Sequence, residues 1–312
     1  MDKPLVSICC QTYNHKNFIS QALESFLMQK ADFEFEILLR DDASTDGTTE
    51  IVRKYSQKYS SMISPLIYSE NQSQKGISPF WDNVKRAKGK YIAICEGDDY
   101  WTDPYKLQKQ VDFLENNDEY VITYHNSTVV DENGNLIAET KLNNPRDYTA
   151  EEMICTDAFI LTNTVVFRNI NTKSPPSFGP VKNGDTGLWH LLGKYGACKY
   201  LNDIKPAAYR VHVGGVWSCI GREKAIDELV KTRIAIYNSL DRVSLYRKKL
   251  YDAITSTILY GFRDAVFSGN IVLCGKIFSI MKNHKITMFR VLKLFLSKVF
   301  TKIKRVFVKL TG

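Results

Sequence analysis

The residues best suited to chemistry in this 312-residue chain are acidic and clustered: Asp41-Asp42, Glu96-Gly97-Asp98-Asp99, and Asp185 within Asn183-Gly184-Asp185-Thr186. Neighbouring carboxylates repel, and each raises the other's pKa unless a cation intervenes. In an extended segment the Glu96-x-Asp98 spacing puts two oxygen donors on one side, where a hard divalent ion such as Mg²⁺ or Mn²⁺ can be held. An ion held there would neutralise a substrate diphosphate. An isolated Asp pair is more often a turn or a helix cap, but two clusters at successive strand ends point to a functional site.

Acids distant in sequence share an ion only if the fold gathers them, and the first hundred residues carry the pattern of a frame that does. Leu5 to Cys10 and Phe35 to Leu39 are short apolar runs suited to strands buried on both faces. Ile63 to Tyr68 and Tyr91 to Cys95 read as a third and a fourth strand, separated by a helix ending near Lys88-Gly89. Asp46 is placed to cap the helix after strand two. Asp103 and Pro104 open another helix, and Asn133-Gly134 marks a hairpin that makes the second half of the sheet mixed. The expected class is α/β, with a mostly parallel, Rossmann-like central sheet and helices on both faces. Ligands of such sheets bind beyond the carboxyl ends of the strands, where loops converge and helix N-termini present free N–H groups. Both acidic clusters fall at that edge.

A hydrophobic content of 44% and an aromatic content of 12% argue against a disordered, collagen-like or disulfide-dense chain. No charge-free stretch reaches the roughly 18 residues a spanning helix needs, and Leu5 to Cys10 reads as a first strand rather than a leader. The seven scattered cysteines fit a reduced, cytoplasmic setting. Beyond Gly221 the pattern turns helical, which divides the chain into residues 1–221 and a helical region 222–312. That region ends in a cationic amphipathic helix, Ile286 to Leu310. From Ala265 onward there are ten Lys or Arg and no acid, leaving 32 bases against all 34 acids in the rest, so the tail supplies the whole net charge of +8. An anionic membrane surface suits that charge; no nucleic-acid reading motif accompanies it. The polar, proline-containing stretch Asn171 to Gly184 is expected to be a long mobile loop that shapes acceptor choice.

The order Val6-Ser7-Ile8, Thr12-Tyr13-Asn14, Asp41-Asp42-Ala43-Ser44-Thr45-Asp46-Gly47-Thr48 and Glu96-Gly97-Asp98-Asp99-Tyr100-Trp101 resembles glycosyltransferase family 2, of the GT-A fold. Gly184-Asp185 and Tyr209-Arg210-Val211-His212-Val213-Gly214-Gly215 are similar to the family's later motifs, so the likeness covers about residues 4 to 220. It implies an inverting enzyme of bacterial polysaccharide synthesis that uses a nucleotide-diphosphate sugar, a UDP-sugar first among them, with Mn²⁺ or Mg²⁺. By the same resemblance Gln11, Thr12 and Tyr13 line the nucleotide pocket, Asp42 accepts a hydrogen bond from the base with Asp41 beside it, and Glu96 and Gly97 border the ribose. Glu96 stands where many members have Asp. Asp98 matches the metal-binding acid, Asp99 orients the loop or the donor sugar, and Asp185 takes the place of the catalytic base. His212 is a candidate metal or diphosphate contact.

That assignment makes chemical sense. Displacing a nucleoside diphosphate develops negative charge that a bound metal stabilises, while the acceptor hydroxyl loses its proton to a positioned carboxylate such as Asp185. Arg210, Lys75 and Asn83 are candidates for phosphate, and Trp101 and Trp217 for stacking on sugars. A saccharide or lipid-linked acceptor, met by a protein peripheral on the inner face of the cell membrane, completes the expectation. Two rivals stand beside it. A sugar-nucleotide nucleotidyltransferase would want a glycine-rich phosphate loop where Gln11 to Lys16 has no glycine; a non-catalytic membrane-associated binding module would be indifferent to Asp98→Asn.

Overall fold

The apolar runs Val6–Thr12 (β1), Phe35–Asp41 (β2), Ile63–Ile67 (β3) and Tyr91–Ile94 (β4) form one half of a seven-stranded sheet. In the computed structural model, residues 3–75, 79–170, 184–215, 220–241, 243–284 and 286–287 are described. Tyr120–Tyr124 (β5), Val166–Arg168 (β8) and Ala197–Tyr200 (β9) complete the sheet in the order β3-β2-β1-β4-β8-β5-β9. Strands β1 to β4 pair in parallel, with Ile8 opposite both Ile37 and Ala93. Strand β8 runs antiparallel to both β4 and β5. Side chains alternate between two apolar layers: Cys9, Leu38 and Ile94 face one, and Ile8, Cys10, Ile37 and Ala93 the other. Both thiols of Cys9 and Cys10 are buried, and burial pushes both upward in pKa, so they act as small apolar side chains.

The mixed character of the sheet has a different source from the one the sequence suggests. The segment from Tyr120 to Val130 is broken at His125-Asn126, where Asn126 Oδ1 accepts hydrogen bonds from the Ser127 and Leu142 backbone N–H groups. Beyond the break, Ser127–Val130 (β6), Leu136–Ala138 (β7) and Ala207–Arg210 (β10) make a separate three-stranded sheet, order β10-β6-β7. The Asn133-Gly134 hairpin therefore joins β6 to β7 there, and the short β8 supplies the antiparallel member of the main sheet.

Helices Ile19–Leu27 (α1), Thr48–Lys58 (α2), Pro79–Val84 (α3), Lys106–Asn116 (α4), Ala150–Ile154 (α5) and Gly184–Gly193 (α6) cover the strands. α3 ends four residues short of Lys88, and α4 begins at Lys106 rather than Asp103, whose carboxylate accepts the Tyr105 N–H ahead of the helix. The N-cap of α2 is Gly47, with φ 103°, and not Asp46; Asp46, one residue earlier, accepts the Thr48 N–H at 2.9 Å. Asn83 of α3 is fully buried; its amide donates to Cys10 O at 3.1 Å and Leu38 O at 2.7 Å, so it pins α3 across β1 and β2 and is not a phosphate ligand.

Met1–Pro180 and Gly184–Cys219 form one compact unit, and the chain from Ile220 onward belongs to a second. In the second unit Arg222–Ser239 (α7), Tyr246–Phe267 (α8) and Ile271–Asn283 (α9) pack around Val230, Ile254, Ile258 and Ile277. A Cβ at Gly261 of α8 would meet Ile226 Cδ1 of α7 at 2.6 Å, so a larger residue there would make the end of the Ile226 side chain move. Helix α9 is an element the sequence reading did not separate from the tail. No helix among the described residues is long and apolar enough to cross a membrane. The loop 171–183 and nearly all of Ile286 to Leu310 lie outside the described residues.

His190 of α6 is fully buried with Nδ1 2.7 Å from Ile154 O, and burial pushes its pKa down to about 4. Unfolded, it takes a proton near its ordinary value of about 6.5, so its neutral burial costs stability increasingly as pH falls from about 6.5 to about 4, by about 3 kcal/mol in all. The urea midpoint is expected to decline over that range, and less steeply in His190→Gln. A midpoint equally steep in both chains would contradict this placement.

Candidate active site

Strand order reverses direction at β1, which lies between β2 and β4, and the loops leaving β1 and β4 lie side by side at the carboxyl edge, the edge at which ligands of open α/β sheets bind. Gly97 brings these loops together. Its N–H donates to Gln11 O at 2.9 Å, and a Cβ there would meet Thr12 Oγ1 at 2.8 Å and Ile19 Cδ1 at 2.9 Å. Gln11 Nε2 donates to Glu96 Oε1 at 2.9 Å, tying the end of β1 to the acidic loop. Gln11 Oε1 and Thr12 Oγ1 are buried without a hydrogen-bond partner among the described residues, and Tyr13 is exposed beside them.

The acids after β4 are gathered closely enough to change one another. Burial and then the charge of Asp98 push Glu96 up to about 8. Asp99 is raised well above the carboxylate range by burial and then by the charges of Asp98 and Glu96. Asp98 goes the other way: burial opposes its charge, but the hydrogen bond from His212 and the neighbouring His15 hold its pKa below the ordinary value. His212 Nε2 is 3.1 Å from Asp98 Oδ2, and His15 Nε2 is 3.8 Å from the same oxygen. Burial lowers the pKa of His15 despite that carboxylate. Gly214 N–H donates to His212 Nδ1 at 3.2 Å, which leaves the Nε2 proton facing Asp98. One oxygen and two ring nitrogens, all within 4.8 Å of one another, are a donor set that suits a divalent cation.

His212 arrives there because β10 is stitched to the acidic loop. Tyr100 and Ala208 exchange backbone hydrogen bonds, Ala208 N–H to Tyr100 O at 2.8 Å and Tyr100 N–H to Ala208 O at 3.3 Å. Arg210 N–H donates to Asp99 Oδ1 at 2.8 Å. The Arg210 guanidinium donates to Asp98 O, Asp131 O, Glu132 O and Gln21 Oε1 at 2.6–3.1 Å and lies over the Phe18 ring. It is a clamp joining the acidic loop, the β6–β7 turn and α1; four of its five N–H donors are spent on the fold, which makes it a structural tie before it is an anion contact.

The first acidic pair is used in loop construction. Asp41 is buried and accepts from the Ser44 N–H and from the Ser44 and Thr49 hydroxyls. Asp42 accepts from the Gln72 N–H at 2.8 Å, the Ser73 N–H at 3.1 Å and the Ser73 hydroxyl at 2.6 Å, and pairs with buried Arg40 at 3.2 Å. Burial opposes its charge, but the bonds from Ser73 and Gln72 hold its pKa below the ordinary value. Lys75 pairs with Glu70 on the surface. Asp185 opens α6, accepts the Thr186 N–H at 2.7 Å, and has its pKa raised by burial; its charge also reaches Glu96. Trp101 is core, 2% exposed, its ring 4.8 Å from that of Phe26 and its indole N–H bonded to Asn163 O, so it meets no sugar. Trp217 lies outside the described residues. His15 is the neighbour of Asp98 that the sequence reading left out, although it sits one residue past the Thr12-Tyr13-Asn14 motif at the same sheet edge.

The described fold is of the GT-A class. S. aureus TarS 1–349, solved in complex with UDP, matches it with a TM-score of 0.56 at 19% identity, covering 83% of this chain and 72% of that one. A Pyrobaculum calidifontis mannosyltransferase solved with GDP-Man and Mn²⁺ matches with a TM-score of 0.54 at 13% identity, covering 97% and 81%. Residues 7–170 match the family described as Glycosyl transferase family 2, and the chain belongs to that family. A Mycobacterium tuberculosis protein is 34% identical over 218 residues, 68% of this chain and 60% of its own length, so the chain spans about three-fifths of that relative. The Escherichia coli UDP-Glc:alpha-D-GlcNAc-diphosphoundecaprenol beta-1,3-glucosyltransferase WfaP is 31% identical over 214 residues, 68% of this chain and 79% of the relative.

If Arg210 is a clamp, shortening its fork must loosen the fold itself. Arg210→Lys is expected to lose about 2 kcal/mol of unfolding free energy in urea. Unchanged stability would return Arg210 to the list of ligand contacts.

Proposed function

We propose that the chain is an inverting glycosyltransferase that moves a sugar from a nucleotide-diphosphate sugar, a UDP-sugar, to a saccharide or lipid-linked acceptor in surface polysaccharide synthesis. The observation that carries this reading is Asp98, its carboxylate set between two histidines at the switch point of a GT-A sheet. The UDP complex of TarS and the UDP-Glc and diphosphoundecaprenol in the name of the E. coli relative support the choice of donor and acceptor class.

In this reading Asp98 and His212 hold Mn²⁺ or Mg²⁺. The bound ion would supply Lewis-acid stabilisation for the departing diphosphate. To hold an ion at Nε2, His212 would take its other tautomer, with the ring's one N–H proton on Nδ1, and the Gly214 contact would give way. Gln11, Thr12 and Tyr13, with the unpartnered oxygens of the first two, line the nucleotide pocket with Gly97 and Glu96. Asp41 and Asp42 hold the loops of its far wall; the Asp42 oxygens are already taken by Gln72, Ser73 and Arg40, so it shapes the pocket and does not accept from the base as the family resemblance implies. Asp99, fixed by the Arg210 N–H, orients the donor sugar. Asp185 takes the proton of the acceptor hydroxyl, and its burial-raised pKa makes it a stronger base than a solvated carboxylate.

We assign catalysis to residues 1–221 and attachment to residues 222–312. In the described part of that region Val266, Phe267, Ile271 and Val272 stand exposed where α8 turns into α9. With the basic tail they suit the anionic inner face of the cell membrane.

Asp185→Asn is expected to lower the rate of sugar transfer from a UDP-sugar by about 100- to 10,000-fold while leaving UDP binding in place. Asp98→Asn is expected to abolish both transfer and metal-dependent UDP binding. Full transfer by either variant would refute the mechanism. Transfer should also fall on the acid side, where Asp185 takes up a proton before the substrate can give it one. Deleting residues 286–312 is expected to release the protein from phosphatidylglycerol vesicles, and retained binding would refute the attachment role.

A further inference from the structure

We propose that His15 is a third protein ligand of the cation held by Asp98 and His212, and that two imidazoles with one carboxylate select a first-row transition ion over Mg²⁺. The inference rests on the metal reading above and extends it in donor set and ion class. The donor atoms come from three separate segments: the loop after β1, the loop after β4, and the turn after β10. They nevertheless lie within 4.8 Å of one another.

The setting of His15 is that of a ligand rather than of a structural histidine. Its side chain is 14% exposed, and its Nδ1 is buried with no hydrogen-bond partner among the described residues. Its Nε2, at 3.8 Å, stops beyond hydrogen-bond reach of the Asp98 carboxylate. The ring is packed against Phe18 and edge-on to His212, with centroids 6.2 and 5.8 Å apart. An ion bound at Nε2 would give this buried ring a partner on the side of Asp98, with its one N–H proton on Nδ1.

Its loop is braced from outside. Asn14 takes a left-handed backbone with φ 55°, its N–H donates to the Ser44 hydroxyl at 2.9 Å, and its Oδ1 accepts the Thr45 N–H at 2.8 Å. Lys16 N–H donates to Asp46 Oδ2 at 2.9 Å. The acidic turn-rich loop after β2 thus fixes the residues on either side of His15 and aims it at Asp98.

The ion class follows from the donors. Imidazole nitrogen suits first-row ions such as Fe²⁺, Co²⁺ and Zn²⁺, with Mn²⁺ at the weak end of that series, whereas Mg²⁺ prefers oxygen and retained water. One carboxylate and two neutral rings also leave the bound ion with net positive charge to offer a diphosphate.

Mn²⁺ titrated into the full chain, alone and with UDP, and followed by electron paramagnetic resonance, tests this. Pulsed spectra of the unaltered protein should report two histidine nitrogens. His15→Phe and His15→Gln, each confirmed folded by circular dichroism, should report one and bind Mn²⁺ at least about tenfold more weakly. Mg²⁺ in large excess should fail to displace Mn²⁺. If both variants bind Mn²⁺ as the unaltered protein does while Asp98→Asn does not, His15 is no ligand and the metal reading stands. Weaker binding with two nitrogens retained would also overturn the inference, leaving His15 a positioning residue. Displacement by equimolar Mg²⁺ would overturn the ion class, and failure of the unaltered protein to bind Mn²⁺ at all would sink the metal reading itself.

Discussion

Crowded negative charge is the constraint around which the site is built. Glu96, Asp98, Asp99 and Asp185 cannot all be ionised in a buried crevice without a cation among them. The fold resolves the conflict unevenly: Asp98 keeps its charge beside His212 and His15, while Glu96, Asp99 and Asp185 are pushed toward their protonated forms. The crevice therefore carries a latent charge that a divalent ion can draw out. Such an arrangement favours the cation and the diphosphate together over either alone.

Holding that arrangement takes more of the chain than performing any chemistry in it. Arg210 fastens the acidic loop to α1 and to the β6–β7 turn, and the Tyr100–Ala208 bridge delivers His212. Asp41, Ser44 and Asp46 shape one loop that in turn braces another, the one bearing His15. Gly97 lets β1 and β4 approach where any side chain would collide with Thr12. Motifs that look catalytic in a string of letters are thus partly scaffolding, and their acids act at one remove from the ligand.

What could be read from the sequence follows the range of the interactions involved. Strands β1 to β4 were readable because their burial is written locally as apolar runs, and the acids at their ends inherit their place from the sheet. The destination of Arg210 was not readable, since its partners at Gln21, Asp98 and Asp131 are brought to it only by the second sheet. Trp101 sits beside a functional acid in sequence yet turns into the core against Phe26, a choice decided by packing. Strand β8 is three residues long, too short to announce a period, and the hairpin changed sheets because Asn126 diverts the chain.

The most direct measurement is a crystal of the full chain grown with Mn²⁺ and UDP, with anomalous scattering recorded at the manganese edge. A peak within bonding distance of Asp98 and His212, lying between them and the UDP diphosphate, is the predicted result. Manganese remote from Asp98, or a diphosphate seated with no ion beneath it, would contradict the role given to the crowded acids.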